Sequence, residues 1–151
     1  MPFRAKDFMS KKIKAVLPDT NVRDAIKILI DSDVSGLPVI DSEGNLLGVF
    51  TEREILKAIL PVYVKSVGTF IYGEESKSAI KKTAALDNFL VKDLMRKEVT
   101  TLDEESALSE VSKTMLIKSE RRIIMMREKK PVGVITRADV IKAFVEAAGI
   151  L

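Results

Sequence analysis

The sequence predicts an α+β fold in which two related repeats pack sheet to sheet as one pseudo-symmetric module. Two observations predict this fold. The chain repeats itself at a nearly constant offset, and each copy has the hydrophobic periodicity of strand, helix, strand, strand and helix in that order. A copy of about 55 residues buries too little surface alone, and pairing two copies removes that deficit.

The internal repeat is visible in two pairs of segments. Residues 5–9 (AKDFM) reappear as residues 91–95 (VKDLM), 86 positions later. Residues 48–51 (GVFT) reappear as residues 133–136 (GVIT), 85 positions later. The second copy has therefore lost one residue, which we place in the turn of its hairpin.

We expect a first repeat over residues 1–60, a linker over residues 61–90 and a second repeat over residues 91–151. The linker has no counterpart in the repeat. It begins with an apolar, aromatic stretch at 61–73 and continues with a charged, helix-compatible stretch at 74–88. A connection of this length is either a packed extra helix or a functional lid, and the sequence leaves both open.

The first copy begins with a short strand at residues 16–17 and an amphipathic helix. Apolar residues after Thr20 recur at the spacing of one helical face, and Thr20 or Asn21 is placed to cap the first turn. The face that we expect to be buried comprises Val22, Ala25, Ile26, Leu29 and Ile30.

A hairpin and a second helix complete the first copy. The apolar runs 37–40 and 46–50 flank a polar turn that contains Gly44, a pattern typical of a β-hairpin. The second helix begins at Thr51 and ends before Pro61, which cannot continue a helix. Its predicted inward face comprises Ile55, Leu56 and Ile59.

The second copy repeats this order. We expect a leading strand at 99–102, a helix over about 103–119, a hairpin of 123–126 with 132–135, and a final helix from Arg137. The predicted inward face of the final helix comprises Val140, Ile141, Phe144 and Val145.

The residue types that are missing narrow the function. The chain has no His, Cys or Trp, so it has no disulfide, no Cys or His metal site and no Ser-His or Cys-His catalytic pair. We expect no enzyme and no catalytic or metal-ligating residues. The net charge of +3 is too small to indicate nucleic acid, and no apolar run is long enough for a bilayer. A cytoplasmic protein without a membrane partner is expected.

Residues 136–139 (TRAD) carry the clearest chemical signal. They follow a predicted strand and begin a helix, so Thr136 and Asp139 face the same side. A carboxylate offers two acceptor oxygens that match the 2′- and 3′-hydroxyls of ribose, and the first-turn N–H groups favour an anion such as phosphate. The alternative is a plain capping box, in which Thr136 caps the helix and Asp139 returns the hydrogen bond.

The first copy has Glu54 at the place of Asp139, three residues after Thr51. The extra methylene is expected to push the carboxylate outward and to add rotamer freedom that binding must freeze. Because Glu is the preferred capping-box residue, a purely structural role is favoured more strongly in this copy.

The ordered motifs resemble a known family. An Asp-hydrophobic-Met segment at 7–9, a Ser-Gly-Leu-Pro-Val-Ile-Asp segment at 35–41 and a Gly-Val-Phe-Thr-x-x-acid segment at 48–54 are similar to those of paired cystathionine β-synthase (CBS) domains, a Bateman module. The resemblance covers nearly the whole chain except 61–90. The second copy departs from the pattern at residues 121–124 (RRII) and again at Arg127, which stands where the first copy has an Asp.

The resemblance implies a regulatory module that binds AMP, ADP, ATP or a relative such as S-adenosylmethionine between the two repeats and signals to an effector protein. No cofactor is required beyond this regulatory ligand. In the family the acid contacts the ribose, and the adenine slot draws on both repeats. Carried onto this chain, the ligand site comprises Lys14, Val34, Ser35, Arg121, Val134, Thr136 and Asp139.

A second, weaker site would comprise Val49, Thr51, Glu54 and Thr100. The family also implies a homodimer, because pairing the repeats leaves helix faces exposed at parts of Ile55, Ile59, Ile141 and Val145. The alternative function is a ligand-free CBS pair that serves as a dimerisation and protein-interaction scaffold, in which Glu54 and the altered second copy mark lost binding.

Overall fold

The computed structural model describes residues 3–34, 36–60 and 72–151, with side chains from residue 77 onward in the last range. The chain forms two compact units, each assembled from separate segments. The central unit consists of the described residues within Lys14–Glu43 and Leu47–Lys97. The C-terminal unit consists of those within Met1–Ile13, Gly44–Leu46 and Glu98–Leu151.

Most of the first copy and the end of the linker form the central unit. Its two-stranded sheet pairs β1 with β2, and Val16 extends the sheet by a single bridge in which its N–H donates to the Pro38 carbonyl at 2.9 Å. The predicted leading strand is thus reduced to one residue pair. The elements are α1 (Val22–Asp31), β1 (Gly36–Ile40), β2 (Leu46–Thr51), α2 (Glu52–Ile59), α3 (Tyr72–Ala85), a 3-10 turn (Leu86–Asn88) and α4 (Val91–Leu94).

The C-terminal unit contains a three-stranded sheet in the order β3-β4-β5. Strand β3 runs parallel to β4, and β4 runs antiparallel to β5, as the predicted hairpin requires. Mixed helices and strands in two copies confirm the α+β class. The elements are a 3-10 turn (Ala5–Asp7), β3 (Thr101–Asp103), α5 (Leu108–Ile117), β4 (Arg122–Arg127), β5 (Lys130–Thr136) and α6 (Arg137–Ala147).

Helix α5 begins at Leu108, five residues later than predicted. The Asp103 carboxylate accepts from the Glu105 N–H at 2.8 Å, and the Asp103 carbonyl accepts from the Ser106 N–H at 2.9 Å. These bonds form a turn between β3 and α5, because an Asp side chain competes with helical hydrogen bonding.

Of the two candidate caps of α1, Asn21 is the one used. Its side-chain oxygen accepts from the Arg23 N–H at 2.8 Å, whereas the Thr20 hydroxyl accepts from the Leu17 N–H. Helix α1 therefore begins at Val22, the counterpart of Leu108 at the start of α5.

The helices bury narrower faces than the apolar spacing predicts. Ile30 is 69% exposed and Ile141 is 62% exposed, although both were predicted to point inward. Leu56 and Phe144 are exposed as well, and those predictions are also wrong. Each of the four directly follows a buried or half-buried residue, so it lies about 100° further round the helix, beyond the edge of the packed stripe.

Each repeated Asp-x-Met segment packs against the hairpin of the other copy. Ser10 exchanges two backbone hydrogen bonds of 2.9 Å with Val134, and Arg96 exchanges bonds of 2.9 and 2.8 Å with Val49. A Cβ atom on Gly133 would lie 2.7 Å from the Ser10 carbonyl oxygen. This reciprocal packing explains why each copy has a Gly-Val dipeptide. It also explains why each unit is assembled from separate segments of the chain.

Arg127, which departs from the family pattern, has a partner in Glu104. The guanidinium donates through Nε to Glu104 Oε2 at 2.5 Å and through a terminal nitrogen to Oε1 at 3.2 Å. Glu104 is only 6% exposed, and its N–H donates to the Met126 carbonyl at 2.9 Å. The hydrogen bond from Arg127 lowers the pKa of the Glu104 carboxyl below its ordinary value of 4.5, although burial opposes this shift.

This ion pair predicts a pH dependence of stability. A carboxyl whose pKa is lower in the folded state stabilises the fold above its unfolded pKa, and this contribution is lost as the pH falls through the folded pKa. We expect Glu104→Gln to flatten the decrease in melting temperature below pH 4.5, the ordinary pKa of Glu104. Melting curves against pH test this, with Glu105→Gln, which removes an exposed ion pair to Lys6, as the control. An unchanged pH profile in Glu104→Gln would contradict the assignment.

Candidate functional site

Thr136 and Asp139 form a capping box where β5 ends and α6 begins. Asp139 Oδ2 accepts from the Thr136 N–H at 2.9 Å, and the Asp139 N–H donates to Thr136 Oγ1 at 3.2 Å. Both bonds are present because Thr136 has an extended backbone and begins the helix as its N-cap. The capping-box interpretation is therefore confirmed for this pair.

The capping box leaves part of the Asp139 carboxylate available. Within the part of the chain that the structure describes, Oδ1 of Asp139 has no hydrogen-bond or ion-pair partner. Asp139 is half-buried, at a helix start whose first N–H groups lack intrahelical acceptors. The box thus fixes an acceptor oxygen beside backbone donors, which suits a ligand with hydroxyl and anionic groups.

Strand β5 brings Val134 to the same site. Ile135 is fully buried in the core, so Val134 and Thr136, its neighbours in the strand, face the opposite side of the sheet. Val134 is flanked by Ile124 on β4 and by Ser10. The apolar side chain of Val134 and the hydroxyl of Thr136 therefore lie on the same face of β5, two residues apart.

Arg121 lies at the entrance of β4, next to this end of β5. Its carbonyl accepts from the Arg137 N–H at 3.1 Å, while its side chain is exposed. The Arg137 guanidinium is already engaged, since its Nε donates to the Glu120 carbonyl at 3.0 Å. The C-terminal unit therefore brings together the predicted residues Arg121, Val134, Thr136 and Asp139.

The predicted contributions from the first repeat belong to the other unit. Lys14 and Val34 belong to the central unit, where Lys14 is exposed and Val34 is half-buried. Ser35 lies outside the described residues. Their place in the Asp139 site stays a prediction.

The equivalent acid in the central unit, Glu54, is only 6% exposed. Its Oε1 accepts from the Thr51 N–H at 3.0 Å and from Thr51 Oγ1 at 2.5 Å, and its Oε2 lies 3.8 Å from Arg96 Nε. The expectation that the longer stem pushes the carboxylate outward is wrong. The extra methylene instead lets Glu54 fold back onto Thr51 and into the interior.

The remaining residues of the predicted second site are divided between the units. Val49 is buried on β2, where it pairs with Arg96 and lies two residues before Thr51. Thr100 belongs to the C-terminal unit, where its hydroxyl donates to Glu120 at 3.2 Å. The central unit thus brings together Val49, Thr51 and Glu54.

Sequence reasoning missed Arg96. It lies in a cleft of about 400 Å³ that is lined by residues 93–96 and by one face of α2. The signal was present, because residue 96 directly follows the repeated Asp-x-Met segment and is the counterpart of Ser10. The sequence does not show, however, that this segment packs against Gly48 of the other copy.

These two copies of one architecture, with a capping acid at the start of the last helix, define the class of protein. The family model for the CBS domain matches residues 5–61 and 91–146. The chain belongs to the CBS domain family and contains two CBS domains in tandem.

Two relatives from different organisms are similar to this chain in sequence. CBSX1, a chloroplastic CBS domain-containing protein of Arabidopsis thaliana, is 28% identical over 153 residues, which cover 91% of this chain and 62% of CBSX1. An inosine-5′-monophosphate dehydrogenase of Methanocaldococcus jannaschii is 31% identical over 140 residues, covering 92% of this chain and 23% of that enzyme. The chain therefore spans less than two thirds of these two relatives.

A solved structure is also similar. CBSX2, a CBS-pair protein of Arabidopsis thaliana, was crystallised in complex with AMP. That structure is 26% identical and has a TM-score of 0.72, and the match covers 97% of this chain and 98% of the crystallised chain. Within the described residues, no helix has the length and apolar character needed to cross a membrane.

Proposed function

We propose that this CBS pair is a regulatory module that binds an adenosine ligand at Asp139 and signals the binding to an effector protein. AMP is the first candidate, with ADP, ATP and S-adenosylmethionine as alternatives. In this proposal the Asp139 carboxylate accepts a hydrogen bond from a ribose hydroxyl, and Val134 contacts the base. Arg121 and the first N–H groups of α6 attract the phosphate. A cytoplasmic location remains a prediction.

One observation carries the proposal. The capping box holds Asp139 in place through Oδ2, and Oδ1 has no partner among the described residues. A pre-positioned acceptor costs little conformational entropy on binding. The AMP complex of CBSX2, a protein 26% identical over nearly the whole chain, supports an adenine nucleotide as the ligand.

A ligand panel in thermal melting tests the proposal. At a ligand concentration one hundredfold above the dissociation constant, binding to the folded state stabilises it by about 2.7 kcal/mol. AMP, ADP, ATP and S-adenosylmethionine are compared with guanosine monophosphate and inorganic phosphate. A shift with an adenosine compound supports the proposal, whereas no shift with any of them contradicts it.

The exposed apolar residues of the helices support a homodimer. Ile141 and Phe144 on α6 and Leu56 on α2 are exposed, and Ile55, Ile59 and Val145 are half-buried. Burying such side chains removes apolar surface from water, and each buried side chain contributes roughly 1.5–3 kcal/mol.

Light scattering at micromolar concentration is therefore expected to give twice the chain mass of 16.8 kDa. Ile141→Glu should shift the population toward the monomer, while Lys142→Glu, on the exposed neighbouring position, should not. A monomer for the unaltered chain would contradict the dimer.

The ligand-free scaffold remains the second candidate, and Glu54 is the observation that favours it. In the central unit both carboxylate oxygens are engaged by neighbouring side chains. If Asp139 behaved in the same way, the pair would be an interaction module only. The ligand panel separates the two functions.

A further inference from the structure

Arg96 and Ser10 occupy equivalent places in the two copies but carry different side chains. They are 86 positions apart, and each directly follows the Met of its Asp-x-Met segment. Arg96 pairs through two backbone hydrogen bonds with Val49, and Ser10 pairs in the same way with Val134. Because the backbones are equivalent, the two sites differ here through the side chains alone.

The Arg96 side chain lies against the acid of its site. Its Nε is 3.8 Å from Glu54 Oε2, and this nitrogen is buried without a hydrogen-bond partner among the described residues. The other oxygen, Oε1, is held by Thr51. The Glu54 carboxylate is therefore engaged on one side by the capping box and on the other by the guanidinium.

The corresponding surroundings of Asp139 are uncharged at this position. Ser10 is exposed, and its hydroxyl accepts from the Lys12 N–H at 3.3 Å. Asp139 has no ion pair within the described part of the chain, and its Oδ1 is unpartnered there. The cation is thus present at one acid and replaced by a small hydroxyl at the other.

We infer that Arg96 closes the Glu54 site to the ribose of an adenosine ligand, so that the Asp139 site is the one that binds. This rests on the function proposed above. A vicinal diol needs the carboxylate oxygens as acceptors, and the positive charge of the Arg96 guanidinium, whose Nε is 3.8 Å from Oε2, competes with the diol for that oxygen. Arg96 is therefore a specificity-determining residue that makes the two copies unequal.

The test uses AMP and removes the Asp139 site first. In calorimetric titrations, the Asp139→Asn variant is compared with the double variant Asp139→Asn/Arg96→Ser. Serine is the residue that the chain itself uses at the equivalent place, and the backbone bonds to Val49 do not involve the side chain. We expect the double variant to bind AMP at least about tenfold more tightly, which is the factor that one hydrogen bond from a ribose hydroxyl to the released Glu54 carboxylate contributes.

Two further substitutions of Arg96, made in the Asp139→Asn variant, show whether its positive charge is what closes the Glu54 site. Arg96→Lys keeps the positive charge and should leave the site closed, whereas Arg96→Met keeps an apolar stem and should open it as Arg96→Ser does. The Met variant also replaces the Ser variant if the latter does not melt cooperatively. Adding Glu54→Gln to the double variant should remove the regained affinity, because one carboxylate acceptor is lost.

The outcomes separate this inference from the proposed function. If the double variant binds AMP no more tightly than Asp139→Asn, or if Arg96→Ser weakens binding because Arg96 contacts the phosphate, the inference is overturned. Unaltered protein that does not bind AMP overturns the Asp139 site instead. If the unaltered protein does not bind AMP but the Arg96→Ser variant does, that result still supports the inference that Arg96 closes the Glu54 site.

Discussion

Asp139→Ala is expected to abolish most of the thermal stabilisation that AMP gives the chain. The substitution removes the unpartnered acceptor Oδ1 together with the oxygen that holds the capping box. At one hundredfold excess over the dissociation constant, the stabilisation of the unaltered chain is about 2.7 kcal/mol. For a chain of this length that corresponds to roughly 5–10 °C in melting temperature.

Glu54→Ala is the matched control for this experiment. Both substitutions remove the acid of a capping box and therefore weaken the start of a helix even without ligand. The informative quantity is therefore the difference in melting temperature with and without AMP for each variant. We expect Glu54→Ala to keep nearly the full shift, because Glu54 is buried and paired with Arg96. The reverse order of effects would contradict the asymmetry of the two sites.

Gly48→Ala is expected to give the largest loss of stability without ligand. A Cβ atom at residue 48 would lie 2.5 Å from the Arg96 carbonyl oxygen. That oxygen cannot easily move, because it accepts from the Val49 N–H at 2.8 Å. The segment carrying Met95 and Arg96 must separate from β2, which we expect to destabilise the fold by about 2–4 kcal/mol. Melting temperature should fall by roughly 5–15 °C.

Gly149→Ala provides the control for this clash. It makes the same chemical change at a glycine with φ of +71° and nothing within 4 Å of the added atom. Only the backbone strain of a positive φ is then introduced, which we expect to cost about 1 kcal/mol. Equal melting temperatures for Gly48→Ala and the unaltered chain would show that the Asp-x-Met segment does not press against this glycine.

Features that depend on residues close in sequence could be predicted well. The hairpins, the starts of α2 and α6 and the capping boxes follow from turn residues and from a Thr three positions before an acid. The repeat offset supplied the rest of the architecture, because a pattern that occurs twice is unlikely to arise by chance. Thr136 and Asp139 therefore lie where the motif placed them.

Features that depend on contacts distant in sequence could not be predicted. Periodicity gives the centre of a helical face and not its width, so Ile30 and Ile141 were assigned to the core although the packed stripes end beside them. The pairing of Arg96 with Glu54 requires the Asp-x-Met segment to pack on the other copy, which no local rule indicates. The outward position expected for Glu54 was wrong because its longer stem folds back onto Thr51 and its carboxylate lies against Arg96, which is distant in sequence.

Calorimetric titration of the unaltered chain with AMP, repeated with Asp139→Asn, tests the adenosine site most directly. Asparagine keeps the shape and the capping acceptor of Asp139 but removes the charge and one acceptor oxygen. One AMP is expected to bind per chain of the unaltered protein, and Asp139→Asn is expected to lose this binding. Absence of AMP binding to the unaltered chain, or binding that Asp139→Asn leaves unchanged, would contradict it.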